Sequence, residues 1–295
     1  MSLMSILFRK GAAKNDKKRD AGLTTPSDIK RFDDIHYGAK KEQVLDVYRP
    51  ANEEGLLPVI VSVHGGGWVY GDKELYQWYC MDLAQRGFAV VNFTYRLAPK
   101  YKFPSGIEDT NMVFHWIWEN AQIYGFDLKN LFAVGDSAGA HMLSVYAAMK
   151  CNPVYAAQFD FPVENNVEIR AVALNCGKYD MRGVIDSGDA LQSGLMKDVL
   201  PKKGTKGELE WVSPIHYVNE AFPPAFVMTS NGDFLRDEAP KMRDKLMSLG
   251  VECEYRDYGD ENEKLNHVFH LNIRLQSAEK CNDEECDFFR THTCQ

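Results

Sequence analysis

Short runs of β-branched and apolar residues alternate along this chain with longer stretches of helical period, and that alternation leaves few architectures open. Strand-like runs fall at 43–48, 59–64, 88–95, 131–135, 170–175, 225–230 and 252–258. Between them Val113, Trp116, Ile117, Ala121 and Tyr124 recur at helical spacing, as do Ala239, Met242, Leu246 and Leu249, so each set predicts one buried stripe of a helix. The expected class is α/β, a mostly parallel central sheet flanked by helices. No internal repeat, low-complexity tract or Pro/Gly/Ser linker divides the 295 residues, so a single domain is expected over 36–295. Two stretches fit the alternation poorly: 1–35, expected to be partly disordered or a small cap, and about 178–219, expected to be a cap insertion over a site.

Charge and cysteine use exclude several functions. Lys and Arg number 34 against 42 Asp and Glu, a net charge of -8, so there is no overall basic field for nucleic acid. The basic group Arg9, Lys10, Lys14, Lys17, Lys18 and Arg19 and the acidic group Glu279, Asp283, Glu284, Glu285 and Asp287 read as solvated, mobile ends. The seven cysteines contain no C-x-x-C pair, which points to neither a disulfide framework nor a zinc site, and their odd number does not imply a dimer. No apolar run reaches the roughly 18 residues of a membrane span, and no amphipathic stretch suited to a lipid interface is visible. The expected compartment is the reducing cytoplasm, with no membrane partner.

Two motifs carry chemistry. Gly135-Asp136-Ser137-Ala138-Gly139 follows a strand-like run and precedes a helical one, the context of a G-x-S-x-G nucleophile elbow. The chain must reverse so sharply there that side chains two before and two after the serine are excluded, hence glycine at both places. His64-Gly65-Gly66-Gly67-Trp68 follows the run at 59–64, and its glycines leave backbone N–H groups uncovered that can converge on a negative oxygen. A plain glycine-rich turn is the bland alternative. A phosphate loop is disfavoured because no Gly-Lys-Ser/Thr follows.

With these two motifs the sequence resembles the hormone-sensitive-lipase-like carboxylesterases of the α/β-hydrolase fold, whose marks are H-G-G-G and G-D-S-A-G. Tyr95-Arg96-Leu97-Ala98-Pro99, Phe103-Pro104 and Glu108-Asp109 also follow that family's text. The resemblance runs from about Asp33 to His270 and departs at Lys100, where the family usually has Glu, which puts a structural ion pair in doubt. It implies chain order Ser, then acid, then His. Ser137 is then the nucleophile. Asp233, in Asn231-Gly232-Asp233-Phe234, matches the residue that orients the base, with Phe234 in place of the usual proline and Asp237 in reserve. His267 matches the family's H-x-F base, with His270 as competitor and His141 left as packing or surface. By the same resemblance the N–H groups of Gly66, Gly67 and Ala138 form the oxyanion hole, and His64 braces the glycine loop.

The implied function is a serine carboxylesterase acting on small soluble esters of short acyl chains, with no metal and no organic cofactor. Trp68 and Tyr70 are candidate pocket walls. A serine peptidase or amidase would share the triad; deacetylases or feruloyl-type esterases on carbohydrate esters, and a non-catalytic ligand-binding homologue, are the other readings.

Overall fold

The computed structural model describes residues 1–294. Its strands are β1 (Ile29–His36), β2 (Val44–Pro50), β3 (Leu57–Val63), β4 (Ala89–Thr94), β5 (Phe126–Asp136), β6 (Ala171–Asn175), β7 (Ala225–Ser230) and β8 (Cys253–Tyr258). They form one sheet in the order β1-β2-β4-β3-β5-β6-β7-β8, in which β2 runs antiparallel to both its neighbours and β3 to β8 are mutually parallel. The helices are α1 (Leu3–Asp20), α2 (Lys73–Gln85), α3 (Ser105–Tyr124), α4 (Ala138–Cys151), α5 (Pro153–Ala156), α6 (Ala190–Val199), α7 (Lys206–Trp211), α8 (Glu238–Ser248) and α9 (Gln276–Thr291).

The period-two alternation of β3 explains the layering. Val59, Val61 and Val63 enter one core with Ile107, Val113 and Ile117 of α3, Leu143 of α4 and Met242 of α8. Ile60 faces the opposite core, with Tyr79 and Met81 of α2 and Cys281 and Phe289 of α9. Each such fully buried aliphatic side chain contributes roughly 1.5–3 kcal/mol. Because β3 and β5 to β8 are parallel, the loops after them open on one edge of the sheet, where α/β folds place their sites.

Both charged ends are packed, contrary to the mobile ends expected from charge. α1 is capped by Ser2, whose side chain accepts from the Ser5 N–H, and Ser2 N donates to Asp198 just inside the end of α6 at 2.7 Å. Arg19 pairs with Asp16 and Asp20 and donates to Leu75 O. At the other end Glu285 is wholly buried, accepting from Tyr79 Oη at 2.9 Å and from Asn175 Nδ2 at 2.6 Å. Charge counting could not see these faces. The alternation also left β1 unassigned: its sequence IKRFDDIH is half exposed and charged, as suits an edge strand that must not recruit another chain. Residues 1–35 therefore supply a helix and most of a sheet strand.

Burial raises the Glu285 carboxyl to about 7, against the hydrogen bonds of Asn175 and Tyr79 that favour its charge. A folded pKa above the unfolded one means that stability contributed by this group is full below about pH 4.5 and is lost as pH rises toward 7. Glu285→Gln should therefore gain stability over the parent as pH climbs from 5 to 7, by a few kcal/mol, and then hold level. Paired urea melts at pH 5, 6, 7 and 8 check this; a difference that is flat or shrinks with pH refutes it.

Candidate active site

The site is assembled from loops at the C-terminal ends of β3, β5, β7 and β8. Ser137 stands between β5 and α4 at φ 52° and ψ -115°, a strained left-handed conformation for a residue with a side chain. The elbow is possible only because α4 begins against the backbone of β3: a Cβ on Gly139 would lie 1.9 Å from Val63 O. Ser137 N donates to Asn175 O at 2.8 Å, which ties the elbow to the end of β6.

His267 follows β8, in a loop joined to the end of β7 by the Gly232–Asn266 bridge and by Ser230 Oγ donating to Leu265 O. Its Nε2 lies 2.9 Å from Ser137 Oγ and its Nδ1 lies 2.6 Å from Asp233 Oδ1. Asp233 Oδ1 also accepts from Leu235 N at 2.8 Å, and Oδ2 accepts from Thr229 Oγ1 at 3.1 Å. Burial opposes the charge on Asp233, yet the hydrogen bond and charge of His267, with the Leu235 N–H, hold its carboxyl below the usual value. Three residues 34 and 130 positions apart thus form one hydrogen-bonded chain from hydroxyl to carboxylate. Asp237, the reserve acid, sits exposed at the start of α8. His270 is buried with neither ring nitrogen hydrogen-bonded, and burial drives its pKa down to about 3. It is packing against Tyr79.

The glycine loop lies across from the elbow. Gly66 (φ 109°), Gly67 (φ 58°) and Trp68 (φ 62°) all adopt left-handed backbone, and a Cβ on Gly66 would lie 2.1 Å from Tyr70 O. Among the described residues the N–H groups of Gly66, Gly67 and Ala138 donate to no protein acceptor, which leaves them available to an anionic oxygen. His64 is buried and stacked on Tyr95 at 3.9 Å, with Nδ1 2.7 Å from Gly65 O; burial lowers its pKa to about 4, so it stays neutral. His141 is equally buried and neutral, accepting from Trp68 Nε1 at 3.1 Å and bonding Val212 O. It fixes the indole.

Sequence reasoning missed Asp136 and Tyr76. Tyr76 Oη accepts from Gly65 N at 2.8 Å and donates to Asp136 Oδ2 at 2.9 Å, so the residue before the serine is linked to the glycine loop. Burial raises the Asp136 carboxyl to about 6, opposed by the Tyr76 hydrogen bond. The pairing of Arg96 with Glu108 and Asp109 accounts for another stretch of resembling text. Lys100, the departure, pairs with Glu42 at 2.7 Å on the surface.

A cavity of about 800 Å³ opens over Ser137 and His267. Trp68 and Tyr70 line it, as do Leu7, Phe8 and Ala12 of α1 and Leu191, Leu195 and Met196 of α6. Phe8 and Leu195 rest on Gly67, at 3.2 Å from where its Cβ would be. Cys176, Asp233 and His267 could each offer a metal one ligand atom within 4.8 Å of the others, but Asp233 and His267 are already bonded to one another.

Comparison with known proteins agrees with this architecture. Residues 45–238 match the BD-FAE family model. The chain is 30% identical over 236 residues to carboxylesterase NlhH of Mycobacterium tuberculosis, covering 75% of this chain and 70% of that one. It is 28% identical over 256 residues to esterase LipQ of the same organism, covering 83% and 58%. The chain spans about three fifths of the length of LipQ and of related proteins from a mimivirus and Gibberella moniliformis. Esterase B of Lactobacillus rhamnosis superposes with a TM-score of 0.88 over 98% of this chain and 94% of that one, at 23% identity, a likeness of fold. With its eight-stranded sheet, its serine elbow and a family match across most of that sheet, the chain belongs to the BD-FAE family, on the α/β-hydrolase fold of the hormone-sensitive-lipase-like carboxylesterases.

Proposed function

We propose that the protein is a serine carboxylesterase that hydrolyses small soluble esters of short acyl chains through an acyl-enzyme. The observation that carries this reading is the continuous hydrogen-bonded chain Ser137–His267–Asp233 at 2.9 and 2.6 Å, beneath an open cavity. His267 Nε2 takes the hydroxyl proton as Ser137 Oγ bonds to the ester carbonyl carbon. The carbonyl π electrons move to oxygen, and the free N–H groups of Gly66, Gly67 and Ala138 are the donors for that charge. Asp233 keeps Nδ1–H directed and stabilises the imidazolium. Collapse of the intermediate breaks the bond to the alcohol oxygen, which leaves with the proton from Nε2. Water then attacks the acyl-serine, His267 taking its proton; the bond between the acyl carbon and Ser137 Oγ breaks, Oγ regains the proton from Nε2, and the acid is released.

The names of NlhH and LipQ support ester hydrolysis, the apolar cavity lining from α1 and α6 gives an acyl chain a surface to pack on, and the short-acyl preference rests on the family resemblance. All seven cysteines are unpaired, which supports a reducing compartment, the cytoplasm. p-Nitrophenyl esters from acetate to decanoate, assayed with the parent and with Ser137→Ala, test the reading. The expected kcat/KM peaks at hexanoate or shorter and vanishes in the variant. A maximum at decanoate contradicts the short-acyl assignment, and no turnover of any ester contradicts hydrolysis.

A further inference from the structure

Among the described residues six non-glycine residues take positive φ, and four of them border the site: Trp68, Ser137, Val268 and Cys176. The first three belong to the glycine loop, the elbow and the residue after His267. Cys176 (φ 50°) belongs to none of them. It follows the last residue of β6, the strand between the one that delivers Ser137 and the one that delivers Asp233. Its N–H is held by Met228 O at 2.8 Å. Its side chain is sealed from solvent, with Sγ within 4.8 Å of an Asp233 carboxylate oxygen and of a His267 ring nitrogen. Holding a β-strand end in this region costs of order 1–3 kcal/mol, and what the fold obtains there is a buried thiol beside the carboxylate.

We propose that Cys176 is a positioning residue for Asp233: its S–H is directed at the carboxylate and keeps that group ionised and oriented toward His267. The proposal deepens the esterase reading and rests on it. Other donors to Asp233 cover part of its demand. Oδ1 receives His267 Nδ1 and Leu235 N, while Oδ2 receives Thr229 Oγ1, so a carboxylate with about four acceptor sites has room for one more donor. The hydrogen bond that the structure gives the thiol runs to Met228 Sδ at 3.9 Å, with the carboxylate oxygen within 4.8 Å. A neutral thioether is the weaker acceptor, because hydrogen bonds to an ionised group are roughly twice as strong as neutral ones. Burial first, and the Asp233 charge next, push the thiol pKa well up, so Cys176 stays a protonated donor and is no second nucleophile.

The titratable groups that interact with Asp233 are His267 and the buried His270 from the segment after β8, and Cys176 and Tyr179 from the segment after β6; the buried Asp136 acts on the thiol. Losing the thiol removes a donor to the anion and leaves His267 a less well-held partner. Cys176→Ala should lower kcat on p-nitrophenyl acetate by about three- to tenfold with KM unchanged, and shift the acid limb of the kcat–pH profile. Cys176→Ser, which keeps a donor on a shorter side chain, should recover most of kcat and the parental pH profile. Thermal melts of both variants separate packing from positioning. Serine no better than alanine, or an alanine variant with parental kcat and pH profile, overturns the proposal. Absence of activity in the parent itself overturns the esterase reading instead, so the two failures are distinguishable.

Discussion

His267→Ala should lower kcat on a short-chain p-nitrophenyl ester by roughly 10⁴- to 10⁶-fold while leaving the fold intact, because a serine hydroxyl is a poor nucleophile without a base. The imidazole, its side chain 17% exposed, lines the cavity obliquely against the exposed Phe234 ring at 4.4 Å, and no strand or helix depends on it. Stability should therefore change little. Replacing the neighbouring His270 tests the discrimination between the two rings from the other side. It sits at 0% exposure among Tyr79 and Phe269, so its loss should show in the melting curve and scarcely in the residual activity of the folded protein. Steady-state kinetics beside urea melts on both variants give the answer. A His267→Ala enzyme retaining more than about one hundredth of parental kcat would contradict the assignment.

The second large effect is expected in the glycine loop. At Gly66 the backbone is at φ 109°, a region that alanine rarely adopts, and the added Cβ would stand 2.1 Å from Tyr70 O. Backbone cannot yield as a flexible side chain can, so Gly66→Ala must displace the loop and with it the N–H groups offered to the oxyanion. Loss of one such donor costs roughly 10²- to 10³-fold in kcat, about 3–4 kcal/mol of transition-state stabilisation. KM should stay within a few-fold, since the ground-state carbonyl gains far less from those donors than the tetrahedral oxyanion does. The loop is joined to the body through Tyr76 and Tyr95, which bond Gly65 N and His64 O, so the domain should still fold. A parental kcat in this variant would show that Gly66 N–H takes no part.

These effects also mark how far the sequence could be read. The parallel strands β3 to β7 were legible because each is a buried apolar run between turns, β8 (CEYRDY) being a half-buried edge strand, and the register of β3 against β5 places Val63 beside Gly135, setting the glycine loop and the elbow side by side. Ser137 was legible through its motif, since a strand–turn–helix reversal demands glycines that leave a mark in the text, whereas Asp233 and His267 were proposed from chain order and the family resemblance. β1 was not, because an edge strand with alternating charges lacks the apolar run of a buried one. The segment of α1 was read as charge and as a possible small cap, without its helix: Phe8 and Ala12 face the cavity while the lysines face outward, a division that becomes visible once α6 is in place beneath. Tyr76 and Asp136 were missed for a different reason. Their hydrogen bond joins residues 60 apart, and no local pattern announces a partner at that distance.

The central claim is that Ser137, and no other hydroxyl, is made nucleophilic by the ring at position 267. A fluorophosphonate probe followed by peptide mass spectrometry reads this directly. The account predicts stoichiometric phosphonylation of the peptide containing Ser137 in the parent, with labelling slowed at least a hundredfold in His267→Ala. Labelling at another residue, or labelling of Ser137 at the same rate without the imidazole, would contradict it.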